Sequence, residues 1–180
     1  MADELLDLVD KDGNVIGTAL RDECHNNPKL MHAVVHCWIF NSKGQVLWQQ
    51  RSLKKALSPG MWDISCGGHI KSGSTPEQTL LEELDEELGV MDARPIFVEK
   101  YVAGNKKQTE LIYLYYTVVD RDEKEFQFND GEVEQVKWFD IHEALLTAHE
   151  KKVESKNWIF SQMPRILQFV FSNKNETNSI

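Results

Sequence analysis

Residues 66–90 read CGGHIKSGSTPEQTLLEELDEELGV, and this stretch decides the fold assignment. It opens with glycines and closes with leucines and acids. Thr75 fits a helix N-cap, with Pro76 as the first helical residue and Gln78 as its capping-box partner. Gly89 fits the C-terminal stop. The stretch therefore predicts a glycine-rich loop followed by a helix that ends at Gly89.

Five of the six residues 82–87 are acidic, and no cation separates them. At about 100° per residue, the leucines of the helix share one stripe, and Glu83, Glu86 and Glu87 lie on the adjoining one. Like charges at this spacing repel one another. A solvated acidic face would explain the other two acids. At the edge of a core, three carboxylates together favour a divalent metal site.

This loop and helix resemble the Nudix hydrolase signature, which is Gly, five residues, Glu, seven residues, then Arg-Glu-apolar-x-Glu-Glu-x-Gly-apolar. Gly68 begins the motif here and residues 83–90 end it at the family spacing. Ser74 stands where the first Glu belongs, and Glu82 stands where the Arg belongs. In the family that Arg helps to orient a catalytic carboxylate, so the two departures bear on activity.

The resemblance implies a cofactor and roles for its ligands. Glu86 and Glu87 would be the chief ligands of Mg²⁺ or Mn²⁺, with Glu83 as a base or an additional ligand. The backbone carbonyl of Gly68 is a further candidate ligand. Such a metal would also let a protein of net charge −9 bind a polyanionic phosphoanhydride.

A second resemblance, to type I isopentenyl-diphosphate isomerase, covers residues 5–145. Its matching runs are residues 21–25, 30–33, 40–52 and 59–62. By this resemblance His25, His32 and His69 match three metal histidines, and Glu110 matches a glutamate that serves both metal and proton transfer. Glu87 matches the residue that helps Mg²⁺ to hold the diphosphate.

The isomerase pattern is incomplete at two positions. Gln108 occupies the place of a second metal-binding glutamate, and Gly67 occupies the place of the catalytic cysteine. Cys66 lies one position earlier, and in a strand its side chain points to the opposite face. Isomerisation of an unactivated double bond needs a proton-transfer group on each side of a carbon, which glycine cannot supply.

The sequence is therefore compatible with three functions. The preferred one is a Mg²⁺- or Mn²⁺-dependent hydrolase of a phosphoanhydride bond in a nucleoside diphosphate, or in a nucleoside diphosphate linked to another group. The alternatives are an isopentenyl-diphosphate isomerase-like enzyme acting on prenyl diphosphates, and a catalytically weakened binder of phosphorylated ligands. The candidate catalytic residues are Glu83, Glu86 and Glu110. The candidate substrate-binding residues are Arg51, Lys55 and Lys71.

Other polar and aromatic residues have more ordinary interpretations. His36 lies in an apolar strand pattern and is read as a satisfied core residue, and His142 and His149 are read as structural. Glu132 and Glu134 precede a strand that flanks the site in many Nudix proteins, so either could reach a metal or a base. Five aromatics are candidate stacking faces, although strand aromatics usually belong to a core: Trp48, Trp62, Tyr101, Tyr113 and Trp138.

Length and composition favour one domain over residues 1–171 and a flexible tail at 172–180. Three unpaired cysteines and an acidic N-terminus indicate a cytoplasmic protein. The short apolar runs argue against a membrane span, and the acidic balance argues against a nucleic-acid polymer as partner. The expected partner is a small-molecule diphosphate, and a homodimer is compatible with the extra terminal elements.

The strand pattern completes the fold prediction. An N-terminal β-hairpin is predicted at residues 5–19, followed by strands at 33–40, 45–50, 64–70, 96–103, 109–119 and 134–139. Helices are predicted after Asp140 and over residues 158–171. Together with the Nudix resemblance, these elements predict an α/β protein, an α/β/α sandwich around a mixed β-sheet.

Overall fold

A computed structural model describes residues 4–55, 57–141 and 161–169. Within these residues one mixed sheet contains nine strands: β1 Leu5–Val9, β2 Val15–Leu20, β3 His32–Phe40, β4 Gln45–Arg51, β5 Trp62–Asp63, β6 Cys66–His69, β7 Ile96–Gly104, β8 Thr109–Val118 and β9 Val133–Asp140. The helical elements are α1 Arg21–Cys24, α2 Pro76–Leu88, a 3₁₀ turn at Glu123–Glu125, and residues 161–169.

Helix α2 has the ends that its sequence predicts. The Thr75 hydroxyl accepts a hydrogen bond from the Gln78 N–H at 3.2 Å, and the Gln78 side chain accepts one from the Thr75 N–H at 3.1 Å. Gly89 ends the helix at φ 66°, a left-handed conformation that favours glycine. The two caps therefore define where the acidic helix begins and ends.

Helices cover the two faces of the sheet. All nine residues of β3 are buried, as expected for a central strand. On one face its side chains pack against Leu80, Leu84 and Leu88 of α2. On the other face Trp38 packs in a cluster that includes Met163 and Ile166 of the helical residues 161–169. The predicted α/β/α sandwich with a mixed sheet and an N-terminal hairpin is confirmed.

Strands β3 and β4 separate almost as soon as they meet. Their ladder contains one register pair, Phe40 with Val46. Beyond it β3 pairs with β6 and, in parallel, with β8, whereas β4 pairs with β5 and β9. The sheet is thus divided into two diverging halves with a gap between them.

The predicted continuous strand over residues 64–70 is wrong, because the chain crosses this gap. Residues 62–63 pair with β4, and residues 66–69 pair with β3. Between them the Ser65 hydroxyl accepts a hydrogen bond from the Ile39 N–H at 2.8 Å and donates one to the Leu47 carbonyl at 2.5 Å. Ser65 therefore replaces the ladder bonds that the diverging strands cannot make.

Some predictions concern residues outside the described ranges. The expected helix after Asp140, with His142 and His149, and the tail at 172–180 are among these. Of the expected helix at 158–171, residues 161–169 are described and are helical, with Pro164 inside this segment. The single domain over residues 1–171 stays a prediction.

Replacing Ser65 tests its role as a bridge between the diverging strands. Ser65→Ala leaves a buried donor and a buried acceptor without their partner, so the free energy of unfolding should fall by about 2 kcal/mol. Urea unfolding measures this loss. Ser72→Ala, which removes an exposed hydrogen bond to Asp7, is the control and should cost less than about 0.5 kcal/mol. Equal costs for the two variants would contradict the bridging role.

Candidate functional site

A cavity of about 750 Å³ opens between the two halves of the sheet. Its walls carry acids from α2, histidines from the β3 half and four cations, which are Arg21, Arg51, Lys55 and Lys71. Nine of the predicted site residues line it: His25, Arg51, Lys55, Gly68, His69, Lys71, Glu83, Glu86 and Glu110. The remaining two, His32 and Glu87, are buried. The fold thus brings both predicted residue sets into one place.

Gly68 of β6 lies against the Glu83 side chain of α2. A Cβ atom at position 68 would overlap the Glu83 carboxylate. Glycine at position 68 therefore leaves the space against β6 that the Glu83 carboxylate occupies. This contact explains physically why the first glycine of the motif and its first helical glutamate occur together.

Glu87 spans the gap between the sheet halves. Its Oε2 accepts hydrogen bonds from the Gly67 N–H on β6 at 3.3 Å and from the Gln49 amide on β4 at 3.2 Å. Burial, with a further contribution from Glu83, raises the pKa of Glu87 well above its usual value. A bound cation would counter both effects.

Burial also raises the pKa of Glu83, to about 7, and neighbouring Glu86 adds to the shift. The nearby Lys71 acts in the opposite direction. A carboxyl with a pKa near neutrality is matched to accepting a proton at physiological pH.

A loop before β9 adds two acids to this side of the cavity. Oxygen atoms of Glu87, Asp130 and Glu132 all lie within 4.8 Å of one another. Lys55 Nζ lies 2.5 Å from Glu132 Oε1, so a lysine already neutralises part of this charge. Glu132 was considered from the sequence, but Asp130 was not. The sequence marks Asp130 only by the short Asp-Gly turn before β9.

The three matched histidines converge on the opposite side of the cavity. One ligand atom from each of His25, His32, His69 and Glu110 lies within 4.8 Å of the other three. His25 Nε2 and His69 Nε2 are 2.8 Å apart, and His32 Nε2 lies 3.9 Å from Glu110 Oε1. Register pairs of β3 with β6 and β8 produce this convergence, because His32 pairs with Glu110 and Val34 pairs with His69.

The histidine cluster has the chemistry of a metal site. His32 Nε2 is buried and has no hydrogen-bond partner among the described residues. Burial lowers the pKa of His32 to about 4, so its ring is neutral and keeps a lone pair at neutral pH. Ligands about 2.1 Å from a tetrahedral ion are roughly 3.4 Å apart, which small side-chain shifts would reach. These residues fit Zn²⁺, Mn²⁺ or Fe.

The two departures from the isomerase pattern have definite structural consequences. Gln108 Nε2 donates a hydrogen bond to Glu110 Oε1 at 2.7 Å, so the amide holds the carboxylate in place. Cys66 is fully buried among core residues on the α2 side, as its strand position predicts. Its thiol hydrogen-bonds the Glu87 carboxylate and does not line the cavity, and Gly67 presents no proton-transfer group in its place.

The candidate stacking aromatics do not line the cavity. Among the described lining residues the only aromatic rings are histidines. Trp48, for example, is fully buried against Phe139. These strand aromatics therefore belong to the core, which was the ordinary alternative. His36, read from sequence as a core residue, is buried and hydrogen-bonded but also borders the cavity.

Comparison with known proteins places the chain in a family. Residues 30–160 match the NUDIX domain model. An uncharacterised Nudix hydrolase of Clostridium acetobutylicum is 34% identical over 125 residues, which cover 64% of this chain and 59% of that protein. The aligned part is thus less than two thirds of that relative. An isopentenyl-diphosphate Δ-isomerase of Klebsiella pneumoniae is 32% identical over 166 residues, covering 89% of this chain and 86% of that protein.

Solved structures agree with this result. A crystal structure of a Deinococcus radiodurans protein superimposes with a TM-score of 0.76 at 26% identity, over 90% of this chain and 98% of that one. The chain belongs to the Nudix family. Its relatives include proteins named as Nudix hydrolases and proteins named as isopentenyl-diphosphate isomerases.

None of the described helices is long and apolar enough to cross a membrane.

The raised pKa of Glu83 makes the stability of the metal-free protein depend on pH. Between about 4.5 and 7 the folded state holds a proton that the unfolded state has lost, so this carboxyl disfavours folding progressively as pH rises, and fully above pH 7. Glu83→Gln removes this penalty. Allowing for partial exposure, the variant should gain about 2 kcal/mol relative to the wild type between about pH 4 and pH 8.

Urea unfolding in the presence of a chelator measures this difference. Groups that do not interact with Glu83 cancel between the two proteins, and loss of the Glu83 charge also relieves Glu87. Glu82→Gln, on the exposed side of the same helix, is the matched control and should show a flat difference. A flat difference for Glu83→Gln as well would refute the raised pKa.

Metal addition should distinguish the histidine cluster from the carboxylates of α2. Zn²⁺ at about 100 times its Kd should raise the melting temperature of the wild type by about 5 °C or more. This increment should be lost in His32→Asn and retained in Glu86→Gln. Thermal denaturation with and without metal provides the measurement, and retention of the zinc increment in His32→Asn would argue against the histidine site.

Proposed function

We propose that this protein is a divalent-metal-dependent hydrolase that cleaves a phosphoanhydride bond. The proposed substrate class is a nucleoside diphosphate, or a nucleoside diphosphate linked to another group, and the proposed cofactor is Mg²⁺ or Mn²⁺. The observation that carries the proposal is the position of Glu83 and Glu86 in the wall of the same cavity as Gly68 and the cationic side chains. Membership of the Nudix family supports it.

Carboxylate oxygens would hold the metal on the α2 side. Glu86 and Glu87 are the proposed chief ligands, and Asp130 and Glu132 lie close enough to Glu87 to contribute. Oxygen ligands of this kind suit Mg²⁺ and Mn²⁺. When bound, the ion would neutralise phosphate oxygens and lower the pKa of a water molecule.

Glu83 is the proposed general base. Burial raises its pKa to about 7 in the protein without metal, and a bound cation would lower this pKa, which leaves the carboxylate ionised to accept the proton of the attacking water. The water oxygen then forms a bond to one phosphorus while the bridging P–O bond breaks, and the departing phosphate keeps that electron pair. Gly68 keeps space for this carboxylate against β6.

Cationic side chains are the proposed contacts to the diphosphate. Arg51 Nη1 lies 3.6 Å from Asp63 Oδ2, and Lys55 contacts Glu132, so both are held at the cavity by acids. Lys71 lines the cavity near Glu83. Because acids already partner Arg51 and Lys55, their attraction for a free anion is moderated, and the proposed metal supplies most of it.

A second candidate function is an isopentenyl-diphosphate isomerase-like activity on prenyl diphosphates. The converging histidines with Glu110 favour it, as does the similarity to proteins of that name. Glu110 would be one proton-transfer group. The absence of a side chain at Gly67 and the burial of Cys66 weigh against a second one, and this is why the hydrolase is preferred.

The role of Glu86 can be tested directly. Glu86→Gln should lower kcat/KM for phosphoanhydride hydrolysis by about 100-fold or more, because a proposed metal ligand is lost. Phosphate and nucleotide release should be followed with Mg²⁺ or Mn²⁺ over nucleoside diphosphates, nucleotide sugars, dinucleotides and prenyl diphosphates. Glu82→Gln makes the same chemical change outside the cavity and should retain activity.

Two outcomes would overturn the hydrolase. One is incorporation of solvent deuterium into isopentenyl diphosphate without phosphate release, which would establish the isomerase. The other is tight binding of a substrate from this panel without turnover, which would identify a binder. In that case Ser74→Glu combined with Glu82→Arg, which restores the family motif, should create hydrolysis.

A further inference from the structure

A buried hydrogen-bond chain runs from the core to the cavity. Trp38 Nε1 donates to Gln162 Oε1 at 3.1 Å, and Gln162 Nε2 lies 2.6 Å from His36 Nδ1. Trp38 and Gln162 are 0% exposed and His36 is 7% exposed. The helical residues 161–169 therefore contribute a polar side chain to a predominantly apolar layer, and this side chain contacts a histidine of the cavity wall.

The polarity of this chain follows from chemistry. An indole N–H can only donate, so the oxygen of the Gln162 amide must face Trp38. The amide nitrogen then faces His36 and donates to Nδ1. A neutral imidazole that accepts at Nδ1 carries its hydrogen on Nε2. Trp38 and Gln162 thus select one tautomer of His36.

The ring edge opposite Nδ1 lies next to Gly67. In imidazole the Cδ2–Nε2 bond lies opposite Nδ1. A Cβ atom at Gly67, the register partner of His36, would lie 3.2 Å from His36 Cδ2 and 2.9 Å from the Val35 carbonyl oxygen. Gly67 and His36 both line the cavity. The absence of a side chain at position 67 therefore leaves room for this edge of the ring.

We propose that His36 is a substrate-binding residue that donates a hydrogen bond from Nε2 to an oxygen of the substrate diphosphate. Gln162 and Trp38 are positioning residues that keep the hydrogen on Nε2. This inference rests on the proposed function for the identity of the ligand. It also separates His36 from His25, His32 and His69, because a nitrogen that carries hydrogen has no lone pair for a metal.

The first test reads the tautomer in the protein without ligand. Nitrogen-15 NMR of the wild type, with the His36 signals assigned by their loss in His36→Gln, should show hydrogen on Nε2 and none on Nδ1. Gln162→Glu replaces the amide donor with a carboxylate acceptor, and it should move a proton onto Nδ1. Gln162→Met is the control because its side chain has neither an amide donor nor a carboxylate acceptor. In this variant His36 should no longer prefer hydrogen on Nε2, and it should not prefer hydrogen on Nδ1 either.

The second test measures binding of methylenediphosphonate with Mg²⁺ by calorimetry, because its P–C–P link cannot be hydrolysed. His36→Leu should weaken binding by about 10- to 100-fold, the range for a hydrogen bond to a charged group. His36→Gln places an amide N–H near the position of Nε2 and should bind within about 3-fold of the wild type. Unchanged thermal midpoints for both variants would show that folding is intact.

The results that would refute the role of His36 differ from those that would refute the proposed hydrolase. Hydrogen on Nδ1 in the wild type, no difference between His36→Leu and His36→Gln, or no binding of methylenediphosphonate to the wild type would each refute the role of His36. Absence of hydrolysis across the substrate panel would refute the hydrolase alone. Binding of methylenediphosphonate through His36 without hydrolysis of any substrate would support the role of His36 and refute the proposed hydrolase.

Discussion

The early separation of β3 and β4 is the constraint on which the rest of the structure depends. Two central strands that share one register pair leave backbone groups without partners and open a gap in the sheet. Ser65 closes one end of the gap by hydrogen bonds to both strands, and Glu87 spans it further along through Gly67 and Gln49. The cavity exists because the strands diverge, and it persists because these two polar side chains hold the halves together.

This arrangement places acids where they are electrostatically unfavourable without a cation. Burial raises the pKa values of Glu83 and Glu87, Glu86 adds to the shift of Glu83, and Glu83 adds to the shift of Glu87. The histidine cluster shows the opposite behaviour, because burial lowers the pKa values of His32 and His69 and leaves neutral nitrogen ligands. One cavity thus combines hard oxygen donors on the α2 side with nitrogen donors on the other, two environments that favour different metals.

Local sequence signals predicted much of the fold. Thr75, Gln78 and Gly89 gave both ends of α2, because capping is a short-range interaction. The break at Ser65 was missed, because it depends on pairing with two separate strands. In the site, nine of the eleven residues predicted from the sequence line the cavity. Asp130 and the link from His36 to Gln162 were not predicted, because they arise from contacts between segments distant in sequence.

The parallel pairing of β3 with β8 connects residues far apart in the chain, and its first register pair is His32 with Glu110. Parallel pairing over a long separation requires closure of a large loop and is intrinsically slow. The nitrogen-rich cluster is complete only when this non-local pairing has formed. A metal that binds there would act on a nearly finished fold, and it would slow unfolding more than it would accelerate folding.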